Sequence, residues 1–580
     1  NDSSKINFSN LNLRNINLSL EGINSSDSLL KARINNISFI EKSGFISNLF
    51  RGDLILSQKE LNINNFEFCD NKSNLIAKHL NLSYNSFSDF NYFTSNVRID
   101  IDFDNAKLNL NSISPFAPSL SENNLTLFIK GNVTGSVSNI KTDDLFVMSE
   151  SGLTYIKLKA SISGLPEAEY TMAFVDVYES QTIPIDLAKV IGSLNSNPPI
   201  KEISSVTPFV RYRFKGRLAG LLTDFVANGQ INSSIGNIYM DALLRGNNSN
   251  NDQGFDIKGN IRTDNFNLGL VSKSETLGKL TLNSWLTINL RDSKYGGNRF
   301  YIDTLYLKEF EFNKYVYKNI TSVGSYVNET FDGKIICRDP NLNLLFQGIV
   351  GMSSKQSVKS YYDFYADIIY ANIGALNFDK RDSLTAVSAR TLANFTQDSK
   401  GDIDGSILIS DLEYKNSTGI YNVGNINIKS ISSQEKYLID LKSNFADASF
   451  NGDSFITDFI DKVLEVTLNK HLSAYFASNN NKINTGKYNM SINFKEFTPF
   501  AQIILPGLDI SNKSKFNASL DSSKLNISFI TDKLSYNHTY LQNSSLKIDN
   551  NNNKVTASLI SDKFHVAGIN IDSTQFILSL

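Results

Sequence analysis

Two cysteines, ten prolines, one tryptophan and four histidines are all that 580 residues contain of these types, and each scarcity excludes something. Cys69 and Cys337 are too far apart in sequence for a C-x-x-C or Cys/His metal motif, which leaves either one long-range disulfide or two buried thiols. His79, His471, His538 and His565 stand alone, without metal-ligand or triad spacing. With so few prolines, and with glycines spread out rather than clustered, no linkers divide the chain into separate beads. No charge of one sign dominates. Against 56 Lys and Arg stand 58 Asp and Glu, a formal net charge of −2, so there is no basic field for nucleic acid. No window reaches the ~18 to 20 apolar residues of a membrane-spanning helix. The opening NDSSKINF carries no charged-then-apolar leader, and the chain reads as an internal portion of a longer protein. Catalytic signatures are also missing: no G-x-S-x-G, no P-loop, and no G-x-G-x-x-G between strand and helix.

What is abundant is alternation. Val97, Ile99, Ile101 and Phe103 fall on one side of a strand whose other side carries Arg98, Asp100, Asp102 and Asp104, because side chains alternate with period two. The pattern recurs at Leu125, Leu127 and Ile129, at Ile156, Leu158, Ala160 and Ile162, at Tyr170, Met172 and Phe174, and at Leu525, Ile527 and Phe529. Strand-like units return roughly every 12 to 15 residues, on the order of 40 in all. Pairs such as Asp332-Gly333 and Asp404-Gly405 mark turns between antiparallel neighbours. Ile113–Leu120 and Phe497–Leu508 share a Ser/Thr-Pro-Phe-Ala core and read as short helical inserts with proline at the first position.

One strong helix is expected over Asp453–Phe476. Phe455, Ile456, Phe459, Ile460, Val463, Leu464, Leu468, Leu472, Tyr475 and Phe476 form one stripe, while Asp458, Asp461, Lys462, Glu465, Asn469 and Lys470 lie opposite. At 1.5 Å per residue it would run roughly 35 Å along an apolar sheet face, narrowing or gating it. A lesser helix is expected over Pro184–Leu194. The row Asp100, Asp102, Asp104 reads either as the wet face of a strand or as oxygen ligands for a hard cation, and Asp402 and Asp404 before Gly405 lack the later glutamate of a calcium loop.

About 40 one-sided strands with almost no helix to cover them leave several thousand Å² of apolar face to hide, far above the few hundred a soluble monomer tolerates. Either the sheet folds back on itself and fills its own interior, or it curls into a trough whose interior holds acyl chains. The trough accounts for the missing linkers and for a lining without polar anchors. Val97, Ile99, Ile101, Phe103, Leu125, Leu127, Ile129, Leu282, Trp285, Leu344 and Phe346 are the expected lining, although Leu286, Ile288 and Leu290 compete with Trp285 for the inward phase.

Phe255–Leu290, with its strand, its Asp-x-Phe-x-Leu-Gly-x-Leu turn and its Leu-Gly-Lys-Leu strand, resembles the TamB/AsmA-like translocation and assembly module family. Asp339–Ser354, Tyr361–Phe378 with the KRDS that follows, and Ser163–Phe174 are similar to that family's repeating unit. The resemblance implies an all-β fold: an elongated, continuous antiparallel β-taco over residues 1–580 with an open hydrophobic groove. It implies no enzyme and no cofactor. It also implies a periplasmic location, an inner-membrane anchor outside this chain, phospholipid acyl chains as cargo between inner and outer membranes, and possible docking to a TamA/BamA-like barrel. Three other readings compete. A β-solenoid adhesin or autotransporter passenger with a self-filled core requires parallel coils of fixed length. An outer-membrane barrel requires strands of ~9 to 11 residues with aromatic girdles. A polysaccharide-cleaving β-helix has only Asp100, Asp102 and Asp104 as acid/base candidates.

Overall fold

Period-two alternation has one stable outcome when every other side chain is apolar, an extended strand paired on both sides, and this chain repeats that outcome almost throughout. The computed structural model describes residues 6, 11–115, 121, 124–165, 167, 170–187, 207, 210–249, 252–291, 294, 296–353, 358–399, 401–433, 436–469, 486–522, 524–551 and 554–579. The protein is all-β and divides into two units, Asn1–Phe312 and Asn313–Leu580.

In the first unit 17 strands run from Leu13–Ser25 to Arg299–Phe312. Each pairs antiparallel with the next along the chain, apart from the two-residue strand Ile46–Ser47, which turns back onto Leu29–Glu41. The second unit carries 16 strands from Tyr315–Val327 to Ile569–Ser579. It departs from simple succession at one place. Lys487–Phe494 pairs with Lys515–Asp521, and the short strand Leu508–Ile510 pairs with Lys524–Tyr536. All pairings among the described residues are antiparallel, and within each unit the sheet is open.

Bulges interrupt the ladders, and residues of positive φ mark them: Asn65 (φ 52°), Asn105 (φ 59°) and Asp411 (φ 55°). Asn and Asp tolerate the left-handed region because their short polar side chains hydrogen-bond locally. At Asn105 the bulge reverses the phase, so that Ile99, Ile101 and Phe103 share a face with Ala106 and Leu108. Glycine allows the sheet to bend sharply. A Cβ on Gly259 would sit 2.3 Å from the Asp241 carbonyl oxygen, and one on Gly348 would sit 2.3 Å from that of Asp363. Gly324, Gly333 and Gly348 stand in register across three strands and form a crease without side chains.

A repeat shows in the last four strands. KLNISFITDKL (Lys524–Leu534) and KVTASLISDKF (Lys554–Phe564) occupy equivalent positions 30 residues apart. Thr531 and Ser561, matched between the two copies, are buried and stand in register with Ser544 and Thr574.

Candidate functional site: an apolar sheet face

The candidate site is a face of the sheet. Ile99, Ile101 and Phe103 pack with Ile63, Phe66, Phe68 and Ala77 in one cluster, and Val97 is buried just before them. Ile101 pairs with Leu80 on one side and Val133 on the other. Ile129 pairs with Ala106 and Leu127 with Leu108, which places both on the same face. Leu125 is half-buried ahead of that strand, and its carbonyl accepts from the Leu110 amide at 2.9 Å. Leu344 and Phe346 are also on the apolar face. Phe346 lies between Phe331 at 6.1 Å and Phe364 at 5.4 Å, measured between ring centres.

The four strands from Gly236 to Phe312 display the face most fully. Leu244, Ile257, Ile288 and Phe300 form one row across them, and Ile238, Thr263, Leu282 and Leu307 form another. Between these run Ala242, Gly259, Leu286 and Ile302, then Met240, Ile261, Ser284 and Leu305. Leu282 therefore points as expected. Trp285 does not: it belongs to the row Asp241, Asn260, Thr304 on the opposite face and is 46% exposed. Period two forces this, since Leu282, Leu286, Ile288 and Leu290 already take the inward phase. A second phase reverses at Tyr170–Phe174. Met172 (41% exposed) and Phe174 (55% exposed) face outward, and Ala173, Val175 and Val177 face inward.

Around Asp100, Asp102 and Asp104 the outward face is polar. Lys78 pairs with Asp102 at 2.7 Å, His79 lies 3.4 Å from Asp100, and Lys130 lies 4.0 Å from Asp104. Asn132 donates to Asp100 as well. The carboxylate row thus meets cross-strand cations, and among the described residues no group of three acidic, His or Cys ligands could hold a metal ion. Lys159 beside Asp143 holds that carboxyl below the usual carboxylate range. Asp402 and Asp404 belong to a strand-end turn, with the Asp402 amide donating to Asp398 and the Ser432 amide to Asp404. His565 stacks on Tyr540 and contacts Asn570, His538 is exposed in a turn, and His471 lies outside the described residues. Both cysteines are free thiols; burial pushes that of Cys337 up to about 11.

Two helices lie on the apolar face of the second unit. The first begins at Ile456 rather than Asp453, and residues 470–476 of the expected helix lie outside the described residues. It is α-helical over Ile456–Leu464, capped by Phe455, and continues as a π turn over Glu465–Asn469. β-branched Val466 and Thr467 fall in that turn, and the Thr467 hydroxyl donates to the Val463 carbonyl at 2.6 Å, a competing bond that loosens regular winding. Phe459 and Val466 are buried against Phe450, Tyr488, Leu520 and Leu525, with Ile456 and Val463 packed at their sides. Ile460 (52%) and Leu464 (44%) stay exposed. The Leu468 side chain and Leu472, Tyr475 and Phe476 lie outside the described residues. The second helix, Thr498–Ile504, has proline in its first turn, and Phe500 stacks on Phe445 at 3.9 Å. Arg381 donates to its C-terminal Ile503 carbonyl at 2.8 Å. Of the other expected inserts, Ile113–Leu120 is described only over Ile113, the last residue of a 3-10 turn that begins at Leu110, and Ser114 and Pro115 in a turn, while Pro184–Leu187 forms one helical turn; residues 116–120 and 188–194 lie outside the described residues.

Comparison with protein-family models, curated proteins and solved structures returns no match for this chain. No helix among the described residues is long and apolar enough to cross a membrane.

Sequence reasoning missed the richest part of the face, Phe255, Ile257, Ile261, Phe300 and Ile302. The signal was present, since FDIKGNI alternates cleanly with Gly259 at an inward position.

Proposed function

We propose that the apolar face binds lipid acyl chains and that the protein conducts phospholipids along it, as a conduit between two membranes in the periplasm. One observation carries this reading: rows of apolar side chains continue in register from strand to strand, yet they are only half covered by the chain itself. Between Gly236 and Phe312, Ala242 and Leu280 are the fully buried apolar side chains among the described residues. A single sheet layer leaves its inner face available to a ligand, whereas a self-filled sandwich does not. At about 25 cal/mol per Å², an acyl chain that covers ~300 Å² of such a face gains roughly 7 kcal/mol. Antiparallel pairing throughout the described ladders does not suit the parallel coils of a β-solenoid. A bridging role, an inner-membrane anchor and docking to an outer-membrane barrel belong to this same reading through the resemblance to the TamB/AsmA-like family.

The test is native mass spectrometry with lipid extraction on the purified protein and on Leu286→Glu. Leu286 is half-buried and lies mid-row, so a carboxylate there stays near water while it interrupts the apolar path. Co-purified phospholipid that falls severalfold in the variant supports the conduit. A lipid-free, stable wild type sinks it and favours a scaffold.

A further inference from the structure

A lysine lies at the margin of the apolar face. The Lys462 ammonium sits 4.6 Å from the centre of the Tyr488 ring and donates to the Tyr488 hydroxyl. That hydroxyl lies 2.6 Å from Ser454 Oγ. Tyr488 is buried, with its ring packed against both Phe450 and Phe459. Two glycines make its place: a Cβ on Gly452 would meet the ring at 2.5 Å, and one on Gly486 would meet the hydroxyl at 2.7 Å. The tyrosine is thereby pinned, and it fixes the lysine and serine on either side of its oxygen.

Donor arithmetic gives this group a use. An ammonium has three N–H bonds and a serine hydroxyl one O–H. With one Lys462 proton on Tyr488, two ammonium donors are left over, beside a Ser454 hydroxyl that shares one hydrogen bond with Tyr488. No carboxylate among the described residues forms an ion pair with Lys462. Asp458, one helical turn earlier, makes none with it, and Asp453 accepts from the Lys487 amide at 2.8 Å. The arrangement lies where the strands Ala446–Gly452 and Lys487–Phe494 end, so polar groups stand at the rim while Phe450, Leu520 and Leu525 continue the apolar face inward.

We propose that Lys462, Ser454 and Tyr488 form a phosphate site that receives the headgroup of an anionic phospholipid while its acyl chains lie on the adjoining apolar face. This rests on the lipid-conduit reading and adds headgroup selectivity to it. The remaining ammonium N–H groups beside the Ser454 hydroxyl match the unesterified oxygens of a phosphate diester, and charge-assisted bonds are the strong ones. A zwitterionic lipid carries its own ammonium and gains less from a second.

The experiment loads the full chain with equal amounts of phosphatidylglycerol and phosphatidylcholine in detergent, then extracts and quantifies the bound lipid. Wild type should retain phosphatidylglycerol in about tenfold preference, the scale of one charge-assisted contact. Lys462→Met keeps the helix and the aliphatic stem. It should erase the preference and leave total lipid unchanged. Tyr488→Phe keeps the ring and removes the hydroxyl, and should lower the preference about threefold, which decides the matter if Lys462→Met fails to fold. Excess sodium phosphate should leave the ratio unaltered. Equal retention of the two lipids by wild type, or a preference that survives both substitutions, overturns the headgroup site and leaves the conduit standing. A ratio abolished by sodium phosphate assigns the site to free phosphate and overturns the headgroup claim. Absence of bound lipid in wild type overturns the conduit and this site together.

Discussion

Gly236–Phe312 and Tyr414–Leu534 are built from the same alternating strands, yet one leaves its apolar face half covered and the other fills it. In the first stretch four strands of 14 to 16 residues lie side by side, and the one helix between them among the described residues is the five-residue Leu268–Ser272 at a strand end. In the second, Phe459 and Val466 from one insert and Phe497 and Ala501 from the next are buried among residues such as Val423, Phe445 and Tyr488. A sheet face is thus either left half covered or closed by an insert of the chain, and the choice is made in the connections. Both inserts sit where one strand's return is delayed: Gly452 to Lys487, and Phe494 to Lys515. Even the filled stretch keeps apolar surface in reserve, since Ile460, Leu464, Ile504 and Leu505 remain exposed on the inserts.

The largest effect should come from attacking what the two stretches share, their tight strand approach. Gly259→Val places branched carbons against the Asp241 carbonyl and the Ala242 Cα at 2.6 Å, and φ of 154° at this position is one that β-branched residues avoid. We expect loss of several kcal/mol and proteolytic sensitivity around Gly236–Phe312, read by limited digestion; wild-type resistance would mean that the close approach is dispensable. The next experiment separates the stretches. Phe459→Ala empties a packed site and should cost about 3 to 4 kcal/mol in urea unfolding. Leu286→Ala on the open rows should cost about 1 kcal/mol, because a half-covered side chain leaves no closed cavity. Equal losses at the two positions would show that the open face is filled in solution.

Much of this contrast was legible in the sequence, and what was not has physical reasons. Val97 to Phe103 alternate without interruption, and their face follows directly. Beyond Asn105 the phase depends on a bulge, and a positive φ leaves no mark in a row of letters beyond the asparagine itself. Met172 and Phe174 misled because size was taken for burial. Opposite Gly220 and Gly216 the inner positions are taken by Ala173 and Val177, with Val175 between them, and the larger side chains are turned out to water. Trp285 misled for the same reason. The helix stripe read true at Phe459 and Val463, while the widened turn at Val466 and Thr467 that follows Leu464 leaves no mark in the stripe. Lys462 was the least legible. A helical projection sets it on the polar side, and only the tertiary position of Tyr488 brings it to the rim of the apolar face.

The smallest expected effect probes whether the uncovered face is wet. Cys337 pairs with Ile320 and Leu344 on the inner side of the second unit's first strands, is buried, and has its thiol pushed up to about 11 by burial. Neighbouring Tyr317 is raised to about 12, again chiefly by burial. Both groups bind their protons more tightly folded than unfolded, so the folded state holds more protons between the unfolded and folded values. Stability is therefore fully present below the ordinary thiol range and falls as pH rises from about 9 towards 11 for Cys337, with Tyr317 contributing from about 10 towards 12. Cys337→Ala should remove the earlier part of that decline and leave the later part. Thiol labelling at pH 8 should modify half-exposed Cys69 well before Cys337. Rapid labelling of Cys337 would mean that water reaches this row freely, and the half-covered face would then have to be kept apolar by a bound ligand rather than by its own geometry.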